Sequence, residues 1–276
     1  MKSLMEAHDV RYSYPGTGDE ALQGLTMSLP AGKKTAICGH NGSGKSTMFL
    51  HAIGIHRPAA GEMSWKGSPM SYRPSDLQKL RQQVGLVFQD PEHQLILSTP
   101  YEDISYGLRN AGIPEHDITQ RTQHVLASMG LELVANTPIH HLSLGQKKRV
   151  ALAGVMVLEP ELLLLDEPTA YLDRLSERQL MKELNRIHES GTTVVMATHD
   201  MNLAYAWADW ILVMDHGKCL LEGIPYDVFK QEDLMISLGL EPPMLLQVWS
   251  SLPAKVRVES PPPRSIAELK ELMKEL

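Results

Sequence analysis

The sequence predicts an α/β protein in which helices cover a mostly parallel β-sheet. Three observations lead to this fold class. Short apolar runs alternate with longer helical segments, a glycine-rich loop joins one of these runs to a helix, and polar residues directly follow most of the runs. Because the carboxyl ends of parallel strands share one edge of a sheet, we expect functional residues to gather at that edge.

Size, charge and cysteine content limit the possible protein classes. The chain has 276 residues, of which 43% are hydrophobic, so it can bury one large core or two modest ones. A net charge of -7 argues against a surface that neutralises a phosphate backbone, and we expect no nucleic-acid partner. Cys38 and Cys219 are too few for a disulfide framework, and the first residues lack a signal-peptide pattern. The sequence therefore predicts a cytoplasmic globular protein.

The apolar runs are too short for a membrane span. The longest one, residues 150–158, is about half as long as the roughly 20 apolar residues that a membrane-spanning helix needs. We therefore do not expect the chain to cross a bilayer by itself.

Four apolar runs predict buried strands, because each is short and rich in aliphatic residues. Three of them lead directly into polar residues. The runs are TAIC at residues 35–38, VGLVF at 84–88, LLLL at 162–165 and TTVVMAT at 192–198.

Between residues 89 and 160 helical patterns replace the strands, with long helices predicted at about 114–129 and 144–158. We interpret this segment as an inserted helical subdomain. Its second helix carries Lys147, Lys148 and Arg149, for which a solvated face or ion pairs between subunits are favoured over a nucleic-acid site.

The part of the chain after about residue 236 shows weaker order. A stiff PPPR linker at residues 261–264 leads to a short amphipathic helix that begins with a capping box of Ser265 and Glu268. A helix this short needs a surface to dock on, and its own domain and a partner subunit are equally favoured. Its apolar stripe consists of Ile266, Leu269, Leu272, Met273 and Leu276.

A phosphate-binding loop is predicted directly after the first of the four strands. The stretch GHNGSGKST matches the pattern G-x-x-x-x-G-K-[ST] and precedes a helical run. Small residues allow the backbone N–H groups to point inward, and the helix N-terminus adds positive charge, so a polyphosphate fits better than an empty turn. Lys45 would reach the β and γ phosphates, and Ser46 would bind Mg²⁺. The candidate ATP-binding residues here are Gly39, His40, Asn41, Gly42, Ser43, Gly44, Lys45, Ser46 and Thr47.

Two adjacent carboxylates follow the LLLL strand. Asp166 can hold Mg²⁺, usually through water, and Glu167 can accept a proton from the water that attacks the γ phosphate. At the ends of two other strands, His199 could orient that water and Gln89 could contact both metal and water. A single histidine or glutamine is more often structural, but the shared sheet edge favours the functional interpretation.

These motifs together resemble the ATP-binding cassette (ABC) family of transport ATPases. LSLGQ at residues 142–146, LLLLDEP at 162–168 and AYLD at 170–173 occur in the family's order, and the resemblance covers about residues 5–235. It implies a P-loop NTPase core with helices on both faces of the sheet and an antiparallel β edge. It also implies ATP and Mg²⁺ as cofactors. The expected domains are an ABC ATPase domain at 1–235, with its helical subdomain at about 89–160, and a C-terminal extension at 236–276 that helps dimerisation.

The resemblance also gives the LSLGQ motif a role. In the family two cassettes face each other head to tail, and this motif of one chain closes over the ATP of its partner. A homodimer and a heterodimer both remain open, and the one complete set of motifs favours the homodimer. Leu144 stands where the family usually has glycine, and Tyr171 stands where a smaller residue is common. The implied roles are partner-ATP binding for Leu142, Ser143, Gly145 and Gln146, a dimer contact for Asp173, and adenine stacking for Tyr14, which could otherwise be a packed strand residue.

The stretch QDPEHQLILSTPYEDISYGLRN, residues 89–110, resembles ATPases of energy-coupling-factor importers, and the cobalt and nickel branch in particular. This implies a transmembrane coupling subunit and a substrate-binding membrane subunit as partners, at the cytoplasmic face of the cell membrane. A vitamin importer and another ABC transporter remain alternatives, and a soluble ABC ATPase acting on nucleic acid is a distant one. The twelve histidines show no metal-ligand spacing, so a transported metal is expected to bind the membrane subunits.

Overall fold

The computed structural model describes residues 2–274. The described residues form two compact units, the first within Met1–Met48, Pro58–Gly67 and Ala197–Leu276 and the second within Phe49–Arg57 and Ser68–Met196. Among residues 2–274 there is no helix of the length and hydrophobicity that a membrane span requires.

The helices and strands alternate along most of the chain, as expected for an α/β protein. The strands are β1 (Ser3–Ser13), β2 (Glu20–Pro30), β3 (Lys34–Cys38), β4 (Ala60–Trp65), β5 (Ser68–Pro69), β6 (Val84–Val87), β7 (Leu162–Asp166), β8 (Thr193–Thr198), β9 (Trp210–Asp215) and β10 (Lys218–Gly223). The helices are α1 (Lys45–Ala52), α2 (Pro74–Gln83), α3 (Pro100–Asn110), α4 (Glu115–Ser128), α5 (Leu144–Met156), α6 (Arg174–Glu189), α7 (Met201–Trp207), α8 (Pro225–Phe229), α9 (Glu232–Ser237), α10 (Met244–Ser250), α11 (Ala254–Glu259) and α12 (Ile266–Lys274).

The first unit contains an antiparallel layer and a mixed layer. Strand β1 pairs antiparallel with β2 and with β4, and Ala7 lies opposite both Met27 and Met63, all three buried. Strand β3 pairs parallel with β9, where Ile37 lies opposite Leu212, and β10 adds an antiparallel edge. The pairing of β3 with β9 positions the loop that follows β3. The antiparallel pairing of β1 with β2 and β4 and of β10 with β9 confirms the predicted antiparallel β edge.

In the second unit β6 and β7 pair in parallel, and every residue of β7 is buried. Helix α3 packs against both α4 and α5. The four strands and the two long helices predicted from periodicity are present, with ends shifted by at most two residues. The bounds 89–160 for a subdomain stay a prediction.

The C-terminal part contains two helices, α10 and α11, that the sequence pattern did not indicate. Helices α10 and α11 each follow a proline, Pro243 and Pro253, and have only seven and six residues. Segments this short show no periodicity that a sequence pattern could reveal.

Helix α12 packs on its own unit at its beginning. Ser265 Oγ accepts a hydrogen bond from the Glu268 N–H at 3.1 Å, as predicted, whereas the Glu268 carboxylate accepts from the Arg264 N–H and not from that of Ser265. The Arg264 guanidinium donates to the carbonyl oxygens of Tyr205 and Ala208 at the end of α7. In the predicted stripe Leu272 is buried and Ile266 and Met273 are exposed, while Leu276 lies outside the described residues.

Candidate functional site

The loop between β3 and α1 has the geometry of a phosphate cradle. Lys45 is buried, and its Nζ donates to the carbonyl oxygens of Gly39 at 2.7 Å and His40 at 3.0 Å. Gly44 has a φ of 102°, and a Cβ there would lie 2.9 Å from the Ala21 carbonyl oxygen, so only glycine fits. The loop therefore wraps around the Lys45 ammonium group, with Asn41, Gly42 and Ser46 exposed.

Tyr14 lies beside the first turn of α1. Its hydroxyl is 3.1 Å from Thr47 Oγ1, and its ring packs edge-on against Tyr12 with centroids 5.2 Å apart. The side chain keeps 36% of its surface exposed. An aromatic face is thus accessible near the phosphate loop, where an adenine ring could stack on it.

His199 is exposed at the end of β8 and lines a cavity of about 630 Å³ in the first unit. His40 and Asn41 of the phosphate loop line the same cavity, and so do Asp200 and Glu241. The first unit therefore brings His199 and the phosphate loop together, which the sequence predicted from strand ends alone.

In the second unit two buried carboxylates end β7. Asp166 and Glu167 are 8% and 6% exposed, and Glu167 has a φ of 43°, in the left-handed region. Such a backbone costs free energy in a residue other than glycine and persists only when its surroundings hold it. Gln89 follows β6 with an exposed side chain.

The surroundings that hold Glu167 include Lys148, for which the sequence favoured a solvated face or an ion pair between subunits. Lys148 on α5 is 4% exposed, and its Nζ donates to the carbonyl oxygens of Glu167 (3.4 Å), Pro168 (2.8 Å) and Ala170 (2.9 Å). Burial lowers the pKa of Lys148 to about 8, and the nearby Glu167 charge opposes this shift. Lys148 thereby links helix α5, which begins with the LSLGQ motif, to the backbone at and after Glu167, the candidate general base.

The prediction of a solvated face is wrong for Lys148, which is buried. Lys147 pairs with Glu92 at 2.5 Å, and Arg149 Nη1 donates to the Met129 carbonyl oxygen at 3.0 Å. All three cations thus have partners in their own chain. The helical period could have indicated that Lys148 is buried, because Lys148 lies four residues before the buried Leu152 and therefore on the same face of α5.

The LSLGQ motif forms the start of α5. Ser143 Oγ accepts from the Gln146 N–H at 3.3 Å, and Gln146 Oε1 accepts from the Ser143 N–H at 2.8 Å, which is a capping box. A Cβ on Gly145 would lie 2.8 Å from Ser176 Oγ, so a side chain there would push α6 away. Ser143 is exposed and Leu142 is buried. The amino end of α5 therefore presents a polar, accessible surface with its helix dipole directed outward.

Asp173 is the N-cap of α6. Its Oδ1 accepts from the N–H groups of Leu175 and Ser176 at 2.9 Å, and these bonds with Ser176 lower the pKa of Asp173. Tyr171, just before it, has a φ of 63° and is 86% exposed. This segment is well ordered by its own hydrogen bonds and still offers an exposed aromatic ring.

Between about pH 8 and pH 10.5 the wild-type chain should gain stability relative to a Lys148→Met variant. The pKa of Lys148 is about 8 in the folded chain against 10.5 as the ordinary value. In this window Lys148 is protonated in the unfolded chain and largely deprotonated in the folded chain. The free energy of unfolding therefore rises with pH, by about 3 kcal/mol over the whole window. Below pH 8 Lys148 is protonated in both the folded and the unfolded chain, so its contribution to the pH dependence of the unfolding free energy vanishes.

Denaturant unfolding across that pH range measures the effect. Lys147→Met removes the neighbouring cation, whose side chain is 14% exposed and paired with Glu92, and is the matched control that should keep the wild-type slope. Equal slopes in wild type and Lys148→Met would contradict the assignment.

Comparison with known proteins identifies the family. The ABC transporter family model matches residues 22–170, more than half of the chain. The energy-coupling factor transporter ATP-binding protein EcfA of Methanocaldococcus jannaschii is 40% identical over 240 residues, which are 87% of this chain and 86% of that protein.

Two solved structures are similar in fold and sequence. cbiO1 from Clostridium perfringens, part of the ABC transporter complex cbiONQ, is 38% identical with a TM-score of 0.76, covering 87% of this chain and 96% of that one. The ATP-binding cassette MJ0796, a dimer bound to ADP and Pi after hydrolysis, is 28% identical with a TM-score of 0.72, covering 80% and 99%. These similarities confirm the predicted P-loop NTPase core. The chain therefore belongs to the ABC transporter family and is an ATP-binding, ATP-hydrolysing member, with energy-coupling-factor ATPases among its relatives.

Proposed function

We propose that the chain is the ATPase subunit of an energy-coupling-factor-type importer for cobalt or nickel ions, at the cytoplasmic face of the cell membrane. The observation that carries this proposal is the similarity to energy-coupling-factor ATPases over most of the chain, together with the likeness to cbiO1. A homodimer would close on ATP and open after hydrolysis, and a coupling subunit and a substrate-binding membrane subunit would turn this motion into transport.

The phosphate loop and Tyr14 would hold the nucleotide. Backbone N–H groups of residues 39–47 and the Lys45 ammonium would bind the β and γ phosphates, and Tyr14 would stack on adenine. The oxygens available for Mg²⁺ are hard ligands of the type it prefers: the exposed Ser46 hydroxyl, the Asp166 carboxylate and the exposed Gln89 amide. Bound there with ATP, Mg²⁺ would neutralise phosphate charge.

Hydrolysis would depend on Glu167 and His199. Glu167 would take the proton of the attacking water, and its fixed backbone, held by Lys148, would keep the carboxylate in place. His199, exposed at the end of β8, would hold the water and the γ phosphate in line.

The LSLGQ motif would complete the partner's site. Ser143 and the Gly145 N–H lie at the accessible amino end of α5, where the helix dipole favours a phosphate. A γ phosphate held between this helix start and the partner's phosphate loop would join the two chains. Hydrolysis would remove that link.

Leu144→Gly should change ATP turnover by less than about tenfold. Leu144 is the first residue of α5 and has helical backbone geometry, so leucine and glycine present the same backbone N–H, and glycine costs at most about 1 kcal/mol in a helix. Steady-state ATPase rates of the two proteins test this. Gly145→Leu is the contrasting variant, which should lose turnover because its side chain would meet Ser176. A fall of more than tenfold for Leu144→Gly would show that position 144 has a role beyond its N–H.

A groove in the second unit suits the coupling subunit. It has a volume of about 430 Å³ and is lined by Tyr101 of α3, Gln123 and Leu126 of α4, and Glu132 and Ala135 of the connecting segment. An apolar floor with a polar rim is the surface that receives an amphipathic helix. We assign it to a short cytoplasmic helix of the coupling subunit.

Affinity purification in mild detergent tests the proposal. The tagged chain, expressed in its native host, should bring down two membrane proteins and, after their isolation, cobalt or nickel measured by elemental analysis. Ala135→Arg, in the groove, should lose these partners, and Ala127→Arg, exposed on α4 outside the groove, should keep them.

The cargo found in the complex distinguishes the alternatives. A bound vitamin would assign the chain to a vitamin importer and would contradict metal import. Absence of membrane partners together with retention on DNA at moderate salt would contradict the transporter assignment.

A further inference from the structure

Three metal-ligating side chains meet beside the phosphate loop. His40 belongs to that loop, Asp215 ends β9, and His216 begins the turn to β10. His40 Nε2 lies 2.7 Å from Asp215 Oδ1, and His216 Nδ1 lies 2.8 Å from the same oxygen. The three candidate ligand atoms are all within 4.8 Å of one another. The side chains of this cluster have no part in the nucleotide chemistry described above, in which His40 takes part through its backbone only.

A backbone hydrogen bond holds the His40 ring with Nε2 directed at Asp215. Its Nδ1 is 2.7 Å from the Asn41 carbonyl oxygen, which can only accept, so Nδ1 carries a proton. Nε2 lies 2.7 Å from the Asp215 carboxylate oxygen, which also only accepts, so in the metal-free chain Nε2 donates a proton that a bound metal ion would replace. Histidines that bind metals almost always donate their other ring N–H to a carbonyl or carboxylate in this way.

Asp215 supplies an ionised oxygen between the two rings. Its Oδ1 lies 2.7 Å from His40 Nε2 and 2.8 Å from His216 Nδ1. The side chain is only 19% exposed, so the carboxylate is held in one place. An ionised carboxylate flanked by two imidazoles can hold a cation as well as accept hydrogen bonds.

The turn that carries His216 is costly for a histidine. His216 has a φ of 43° and the next residue, Gly217, has a φ of 71°, the left-handed pair of a tight hairpin. Asparagine, aspartate and glycine adopt this conformation with less strain. The conformation directs the His216 ring toward Asp215 and His40, with ring centroids of the two histidines 5.6 Å apart.

We infer that His40, Asp215 and His216 form a binding site for one divalent transition-metal ion such as Zn²⁺, Co²⁺ or Ni²⁺. Two imidazole nitrogens and one carboxylate oxygen are a ligand set of these ions, whereas Mg²⁺ and Ca²⁺ prefer oxygen alone. Water would complete the coordination. The inference goes beyond the proposed function, because the site is on this chain and does not require a metal cargo.

Such an ion would link the β9–β10 hairpin to the phosphate loop. The carbonyl oxygen of His40 holds Lys45, so a metal on the His40 ring would fix a residue that also supports the cradle. Binding to the folded state alone raises its stability. We therefore expect metal binding to stabilise the folded chain against heat.

Titration of the nucleotide-free, chelator-treated full chain with Co²⁺ tests the site, because cobalt bound to protein nitrogen and oxygen absorbs visible light. We expect one ion per chain. His216→Ala and Asp215→Asn should each weaken binding by about 10- to 100-fold or more. With metal about a hundredfold above Kd, the wild-type Tm should rise by about 5 °C, and that of His216→Ala should not.

His116→Ala is the matched control. His116 is also exposed and faces a carboxylate, Asp117 at 3.2 Å, and it is not part of the three-residue cluster. This variant should bind cobalt as the wild type does. Cobalt binding of equal affinity in wild type and His216→Ala, or no saturable binding by the wild type, would overturn the inference and leave the two histidines as hydrogen-bond partners of Asp215 only.

Discussion

Replacing Glu167 by glutamine should lower ATP turnover by about 10²- to 10⁴-fold, the usual contribution of a general base, and should leave ATP binding intact. Glutamine has the same shape but cannot take a proton. Glu167 lies at the buried end of β7, and its carbonyl oxygen is held by Lys148, so the substitution should not move the backbone. Steady-state ATPase assays and nucleotide-binding titrations measure the two quantities.

Glu161→Gln is the control for this variant. Glu161 precedes β7 at the opposite end of the strand and is exposed, so its loss should leave turnover unchanged. If Glu167→Gln kept more than about a tenth of the wild-type rate, another group would have to serve as the base.

Lys45→Ala should weaken ATP binding by about 10²-fold or more. A hydrogen bond to a charged group contributes about 1.5–3 kcal/mol, and the Lys45 ammonium is expected to reach two phosphates. In the structure the same ammonium holds the carbonyl oxygens of Gly39 and His40, so its removal also loosens the loop. Equilibrium ATP binding and thermal unfolding, measured on the same samples, separate lost affinity from lost fold.

Lys33→Ala removes an exposed cation just before β3 and is the matched control, with unchanged ATP binding expected. Wild-type affinity in Lys45→Ala would contradict the assignment of the loop as the phosphate site.

The features that the sequence predicted are those that local patterns encode. The strand, loop and helix around residues 39–47 are contiguous, and so are the cap at Ser143 and the carboxylates after β7. Each of these motifs combines a hydrophobic run with a fixed set of polar residues, and the structure shows the expected local geometry at each one.

The features that sequence reasoning missed depend on contacts between distant residues. Lys148 reaches carbonyl oxygens about 20 residues further along the chain, and the pattern of three adjacent cations suggested a surface. His40 and Asp215 are 175 residues apart, so no ligand spacing joins them. The tail helices α10 and α11 were missed because six or seven residues are too few to establish a period.

The central claim is that the LSLGQ motif of one chain acts on the ATP of another, and mixing two inactive variants tests it most directly. Lys45→Ala disables the phosphate loop, and Ser143→Arg places a bulky side chain at the start of α5. Each variant alone should be inactive. In an equal mixture half of the random pairs are mixed and each has one intact site of two, so roughly a quarter of the wild-type ATPase rate should return. A mixture that stays as inactive as its components, while both variants still pair, would contradict the claim.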